Sequence, residues 1–182
     1  AQYLLGGYKF FFFAQKDAIG ISRYLPTLGY PKFKPEDAFY IGHMLESQQQ
    51  EVEPLWINNI QNIQWNTKQA GEEAAKKIKK LGYSDKKIGI EFCNTPTDTY
   101  MALKENLPDA EFVDVLVLMQ ELRAVKTEFE LNLLRNSSNF ITTSMEKVMK
   151  GTKPGTDTKS IAQALKEEET NFGMNFEYCL VA

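Results

Sequence analysis

The sequence predicts an α/β fold with a mixed sheet flanked by helices, and three observations indicate this class. Strand and helix patterns alternate between residues 66 and 115, which is the order of a sheet with crossover helices. An early hairpin within residues 8–22 adds antiparallel pairing to the expected parallel strands. Two long amphipathic segments follow residue 127, which indicates that a second domain begins near that point.

The first forty residues contain three strand candidates. Residues 8–14 include four consecutive phenylalanines, and so short an apolar run is typical of a strand buried on both faces. A short turn separates this run from a second predicted strand at residues 18–22. Three prolines then mark a loop at residues 26–35, which leads into a short strand at residues 38–41.

The middle of the chain supplies the crossover pattern. Residues 66–80 place their apolar side chains on one helical face, and Gly82 follows where a helix end favours a left-handed residue. We expect a strand at residues 88–92, a helix at residues 97–107 and a further strand at residues 111–115.

A capping box marks the start of the strongest predicted helix. Thr127 and Glu130 have the spacing in which each side chain bonds the backbone N–H of the other. The helix is expected over residues 128–150, followed by a turn in which Thr156 or Asp157 caps a second helix.

The domain boundary is predicted at this junction, with one domain in residues 1–121 and the opening of another in residues 122–182. A last strand is predicted at residues 176–181. Two amphipathic helices and one strand cannot cover their own apolar surface, so we expect this chain to be part of a longer protein. The alternative is a small complete protein whose last strand pairs with its own first sheet.

Composition excludes several classes of function. Apolar residues make up 43% and charged residues 25% of the chain, as in globular proteins generally. The formal charge of −3 gives no electrostatic basis for nucleic-acid binding. No apolar run approaches the roughly 20 residues of a membrane span, and no signal-peptide pattern is present, so we expect no membrane contact and a cytoplasmic protein.

The two cysteines are expected to be free thiols. Cys93 and Cys179 lie far apart in the sequence and fall in predicted buried strands at residues 88–93 and 176–181. Neither has a nearby basic residue that would lower its thiol pKa, so neither is a candidate nucleophile.

Four segments together resemble the creatinase, prolidase and aminopeptidase P family of pita-bread metallohydrolases. Residues 88–91 have the sequence of the family's I-G-V/I-E strand, and residues 107–115 that of its P-x-A-x-x-x-D strand. Residues 122–130 fit the R-x-x-K-[ST]-x-x-E entry into the first catalytic-domain helix, and residues 153–156 fit a later P-G-T turn. Four residues occupy the junction positions of this pattern: Arg123, Lys126, Thr127 and Glu130.

The resemblance implies an N-terminal α/β domain that makes homodimer contacts and shapes the substrate entrance, followed by an incomplete α+β pita-bread domain. The family's catalytic domain holds two divalent metal ions, for which we expect Mn, Co or Zn, and these activate a water molecule for amide hydrolysis. The metal ligands in the family are two aspartates, one histidine and two glutamates, all beyond the segment matched here. We therefore assign no catalytic and no metal residue to this chain, and we expect it to be inactive without the remainder of the catalytic domain.

The resemblance leaves three functions open for the parent protein. The first is a metal-dependent Xaa-Pro dipeptidase or aminopeptidase, of which this chain would be the non-catalytic N-terminal part. The second is a creatinase-like or ectoine-hydrolase-like enzyme acting on a small amide. The third is a pita-bread relative without catalysis that binds peptides or proteins.

The remaining polar candidates have structural interpretations. His43, the only histidine, has no partner at useful spacing and is expected to be a structural or surface residue. Residues 167–169 are three consecutive glutamates, which point in different directions on a helix and are expected to form a solvated face. Positive charge is unfavourable before a helix N-terminus, so we expect Arg123 and Lys126 to pin the two domains together.

Four other residues are candidates for a ligand entrance across a dimer. They are Arg23, Tyr24, Trp56 and Trp65. The alternative is that these side chains pack in a core or an interface.

Overall fold

The computed structural model describes residues 26–63, 66–176 and 178–181, and the chain divides into two units, residues 1–120 and 121–182. The strands predicted at residues 8–14 and 18–22 lie outside the described residues.

The first unit contains a three-stranded mixed sheet. Its strands are β1 (Thr27–Gly29), β2 (Phe39–His43) and β3 (Asn59–Ile63), with β2 in the centre. β1 pairs antiparallel with β2, and β3 pairs parallel with it. The strand predicted at residues 38–41 is therefore confirmed as β2, and the prediction of a mixed sheet is correct.

Two elements around β2 were not expected from the sequence. β1 lies inside the predicted proline loop, where Gly29 is paired with Phe39. A Cβ at Gly29 would lie 2.1 Å from the Phe39 ring, so only glycine leaves room for this aromatic side chain. After β2 come a 3₁₀ turn (Met44–Glu46) and the short helix α1 (Ser47–Val52), which lead into β3.

The crossover pattern of the middle region is confirmed. Helix α2 (Thr67–Lys80) begins at Asn66, whose side chain accepts a hydrogen bond from the Gln69 N–H, and Gly82 follows with φ of +78°. β4 (Lys87–Ile90), α3 (Thr97–Asn106) and β5 (Glu111–Asp114) come next. β4 and β5 pair in parallel as a second, two-stranded sheet.

The prediction of a buried strand that includes Cys93 was wrong. β4 ends at Ile90, and Cys93 is exposed in a 3₁₀ turn (Phe92–Asn94). The chain must turn here to enter α3, and the Thr95 hydroxyl stabilises that turn by donating to the Glu91 carbonyl at 2.9 Å. Both cysteines are free thiols, as expected.

One apolar core joins both sheets of the first unit with α2 and α3. The two helices pack closely because Gly71 lies against α3, where a Cβ would approach the Thr99 carbonyl oxygen to 2.5 Å. The Thr99 hydroxyl donates to the Thr67 carbonyl at 2.8 Å across the same contact. Completely buried members of the core are Tyr40, Ile41, Ala75 and Leu107.

An additional helix, which the sequence pattern had not predicted, follows β5. It is α4 (Leu116–Ala124), and its first free N–H, that of Leu116, donates to the Asp114 carboxylate at 3.0 Å. The apolar run after residue 113 therefore belongs partly to a strand and partly to a helix.

The two long helices of the second unit are confirmed. They are α5 (Glu128–Gly151) and α6 (Thr158–Asn171), and the stacked rings of Phe140 and Phe172 lie 4.8 Å apart. Asp157 caps α6 by accepting from the Ser160 N–H.

The strand predicted at residues 176–181 was wrong. The described residues of this segment belong to no strand and no helix. A strand requires a neighbour for its N–H and C=O groups. The described part of the second unit offers only helices, so this segment has no ladder to join.

Candidate functional site

The junction contains the predicted capping box. The Thr127 N–H donates to Glu130 Oε2 at 2.7 Å, and the Glu130 N–H donates to Thr127 Oγ1 at 3.2 Å. Two of the otherwise unpaired N–H groups at the start of α5 are satisfied in this way.

The two basic residues of the junction are associated with the preceding helix. Lys126 Nζ donates to the carbonyl oxygens of Arg123 and Ala124, the second at 3.2 Å. These carbonyls end α4, and a cation there is favourable because the C-terminal end of a helix dipole is negative. Lys126 therefore closes α4, whereas the role of Arg123 and Lys126 in pinning two domains remains a prediction.

A buried polar cluster joins β2 to the turn that follows it. Glu46 Oε2 accepts a hydrogen bond from the Tyr40 hydroxyl at 2.7 Å and a longer one from the His43 N–H at 3.4 Å. All three residues are buried, and burial lowers the pKa of His43. His43 is thus an interior residue of β2.

An amide pair fixes the connection after this cluster. Gln50 of α1 and Asn62 of β3 exchange two side-chain hydrogen bonds, at 3.2 and 2.9 Å. The segment that crosses from β2 to β3 is therefore tied to the sheet at two places, through Glu46 and through Gln50.

The three consecutive glutamates of α6 do not form one solvated face, so that expectation was wrong for one of them. Glu167 accepts from Gln163, and Glu168 forms an ion pair with Lys147 of α5 at 2.6 Å. Glu169 is buried. Successive helix positions are rotated by about 100°, so one of three neighbours falls on the packed side.

The metal ions that the resemblance implies do not fit the residues described here. In residues 26–63, 66–176 and 178–181, no three or more His, Cys, Asp or Glu side chains are grouped so that they could hold a metal ion. Over the same residues, no helix combines the length and apolar character of a membrane span.

Of the four candidates for a ligand entrance, Trp56 lies among the described residues. Trp56 contacts Tyr30 edge to face, with ring centroids 6.2 Å apart, and both rings are about half exposed. Phe33, in the loop after Tyr30, is 85% exposed. Arg23, Tyr24 and Trp65 lie outside the described residues.

Comparisons with known proteins give a family match and similar solved structures, among them two peptidases. The model of the family described as creatinase/prolidase N-terminal domain matches residues 29–125. The fold is similar to that of an Xaa-Pro dipeptidase from Bacillus anthracis, with a TM-score of 0.63 and 20% identity over 86% of this chain and 41% of that one. It is also similar to that of an X-Pro aminopeptidase from Thermotoga maritima MSB8, with a TM-score of 0.62 and 15% identity over 75% of this chain and 36% of that one. Comparison with curated proteins gives no match.

These similarities differ in what they show. At 20% and 15% identity, the two structures establish a shared fold. This chain spans less than half the length of either relative. The family match, however, covers more than half of the 182 residues and includes the strands and helices of the first unit from Gly29 onward. The chain therefore belongs to the creatinase/prolidase N-terminal domain family.

Proposed function

We propose that this chain supplies the non-catalytic N-terminal domain and the first catalytic-domain helices of a metal-dependent Xaa-Pro peptidase in the cytoplasm. The family match over residues 29–125 carries the proposal. The Xaa-Pro specificity is taken from the two structural relatives, both of which are named as enzymes of that type.

The exposed surface of the second unit supports a continuation of the catalytic domain. The longer of its two helices, α5, leaves large apolar side chains open to solvent, which soluble proteins ordinarily cover. We infer that the remaining catalytic domain packs on these side chains. The most exposed are Phe129 at 72%, Met149 at 67%, Leu134 at 53%, Leu133 at 51% and Met145 at 50%.

The first unit would serve dimerisation and shape the substrate entrance. Its support is the group of exposed aromatic rings near the start of the described chain, namely Tyr30, Phe33 and Trp56. Aromatic rings are enriched at protein interfaces because they bury a large area at a small cost in side-chain entropy.

The test compares the longest native polypeptide that contains this sequence with the 182-residue chain alone. Each would be assayed against a Gly-Pro dipeptide, an Xaa-Pro tripeptide and creatine after reconstitution with Mn, Co or Zn. We expect the longer polypeptide to bind metal and hydrolyse proline peptides, and the chain alone to do neither.

Other outcomes would identify the alternatives. Hydrolysis of creatine without hydrolysis of proline peptides would replace the peptidase assignment with a small-molecule amidohydrolase. A longer polypeptide that neither binds metal nor hydrolyses any of these compounds would indicate a non-catalytic binding module.

A further inference from the structure

The turn after β2 holds a buried carboxyl group whose two oxygens have unequal environments. Glu46 is completely buried. Its Oε2 accepts from the Tyr40 hydroxyl and the His43 N–H, but its buried Oε1 has no hydrogen-bond partner among the described residues. Burying an ionised carboxylate costs free energy unless the group is paired and hydrogen-bonded.

No cation faces this carboxyl group from the described elements packed against its turn. β2 contributes two titratable side chains, Tyr40 and His43, and burial favours the neutral form of His43. β3 has no ionisable residue, and α1 has only Glu51, which is exposed and has the same sign of charge. Burial therefore raises the pKa of Glu46, against the lowering effect of the Tyr40 and His43 hydrogen bonds.

The carboxyl group has little room to relax where it lies. It packs over Gly42, where a Cβ would come within 2.7 Å of Glu46 Oε2 and 2.6 Å of Asn62 Oδ1. An ionised Glu46 can gain water only if the turn itself moves. The structure that would move is small, because α1 has six residues, and so short a helix is unstable without its packing.

We infer that the protonation state of Glu46 controls the position of the 3₁₀ turn and α1. The neutral carboxyl group holds this segment against the sheet, and the ionised form allows it to move away from the sheet.

The direction of the pH effect follows from proton linkage. The closed state binds the proton of Glu46 more tightly than the open state, in which the carboxyl group is solvated. Closing is therefore most favourable below the pKa of the open state, weakens as the pH rises through the higher pKa of the closed state, and is constant above it.

The test is hydrogen exchange of the backbone amides of residues 44–52 between pH 4 and pH 8, corrected for the intrinsic pH dependence of exchange. Between the pKa of Glu46 in the open state and its pKa in the closed state, we expect protection of this segment to fall by up to about tenfold per pH unit, because one proton is involved. The amides of α2 serve as the internal reference and should show no such change.

Three variants make the test specific. Glu46→Gln removes the titration and should give pH-independent protection, whereas Glu51→Gln, an exposed carboxyl change in the same segment, should keep the native profile. Tyr40→Phe removes a hydrogen bond that favours the ionised form, so its transition should move to higher pH. The inference fails if the native segment shows no pH dependence, or if Glu46→Gln retains it. An unmoved transition in Tyr40→Phe would also overturn it, which keeps the test decisive should Glu46→Gln not fold.

Discussion

At the scale of single residues, a buried hydroxyl group without a hydrogen-bond partner lowers the stability of the fold. The Ser144 hydroxyl of α5 is completely buried and has no hydrogen-bond partner among the described residues. A buried hydroxyl that loses water without gaining a partner costs about 1–3 kcal/mol. Thr142, two positions earlier, does not face this cost because it is exposed, and its hydroxyl also donates to the Ser138 carbonyl at 2.9 Å.

Replacing Ser144 with alanine should therefore stabilise the protein. We expect the Ser144→Ala variant to gain about 1 kcal/mol in free energy of unfolding, measured by urea denaturation, because the unpaired hydroxyl is removed. Ser138→Ala is the matched control, since Ser138 is exposed on the same helix and shares the small gain in helix propensity. Equal stabilities of the two variants would show that the buried hydroxyl carries no penalty.

At the scale of elements, the first unit depends on a close contact between α2 and α3. Gly71 permits this contact, because a side chain there would meet the Thr99 carbonyl oxygen at 2.5 Å and the Ala102 Cβ at 3.0 Å. The first of these atoms belongs to the backbone and cannot turn aside. Thr67 and Asp98 are also hydrogen-bonded across the two helix N-termini, which fixes the position of the helices along their axes.

An alanine at this contact should separate the helices. We expect Gly71→Ala to lose about 1–3 kcal/mol of stability through overpacking, despite the higher helix propensity of alanine. Gly151→Ala is the control, because Gly151 ends α5 and a Cβ added there would have no atom within 4 Å. Thermal unfolding of both variants compares them directly, and a Gly71→Ala protein as stable as the control would contradict the close packing.

At the scale of the whole molecule, the proposed dimer contact would involve an exposed aromatic ring. The most exposed aromatic ring among the described residues of the first unit is that of Phe33, whose φ of +64° is unusual for a bulky residue. This exposed ring contributes little to the described core, so we expect it to contact a second copy of the chain.

Replacing Phe33 with asparagine tests this role in dimerisation. Asparagine tolerates positive φ better than phenylalanine, so we expect Phe33→Asn to keep its stability and to dissociate at higher protein concentration than the native protein. Light scattering coupled to size exclusion measures this difference. Met101→Gln, a polar change at a half-exposed residue of α3, should leave the dimer intact. A monomeric native protein, or an unaffected dimer in Phe33→Asn, would contradict the proposal.

Local signals in the sequence determined much of the second unit and the crossover region. The Thr127–Glu130 capping box, the Asn66 cap and the glycine after α2 each act within about four residues, so their effect is visible in the sequence itself. The junction motif also identified the family, which the match to residues 29–125 confirms.

Only the tertiary structure decided the features that depend on distant neighbours. β1 exists because Gly29 lies beneath the ring of Phe39, and Cys93 is exposed because the chain leaves β4 early to enter α3. The burial of Glu46 likewise depends on packing around the end of β2. Strand pairing and burial are set by residues far apart in the chain, and no local pattern in the sequence records which of them meet.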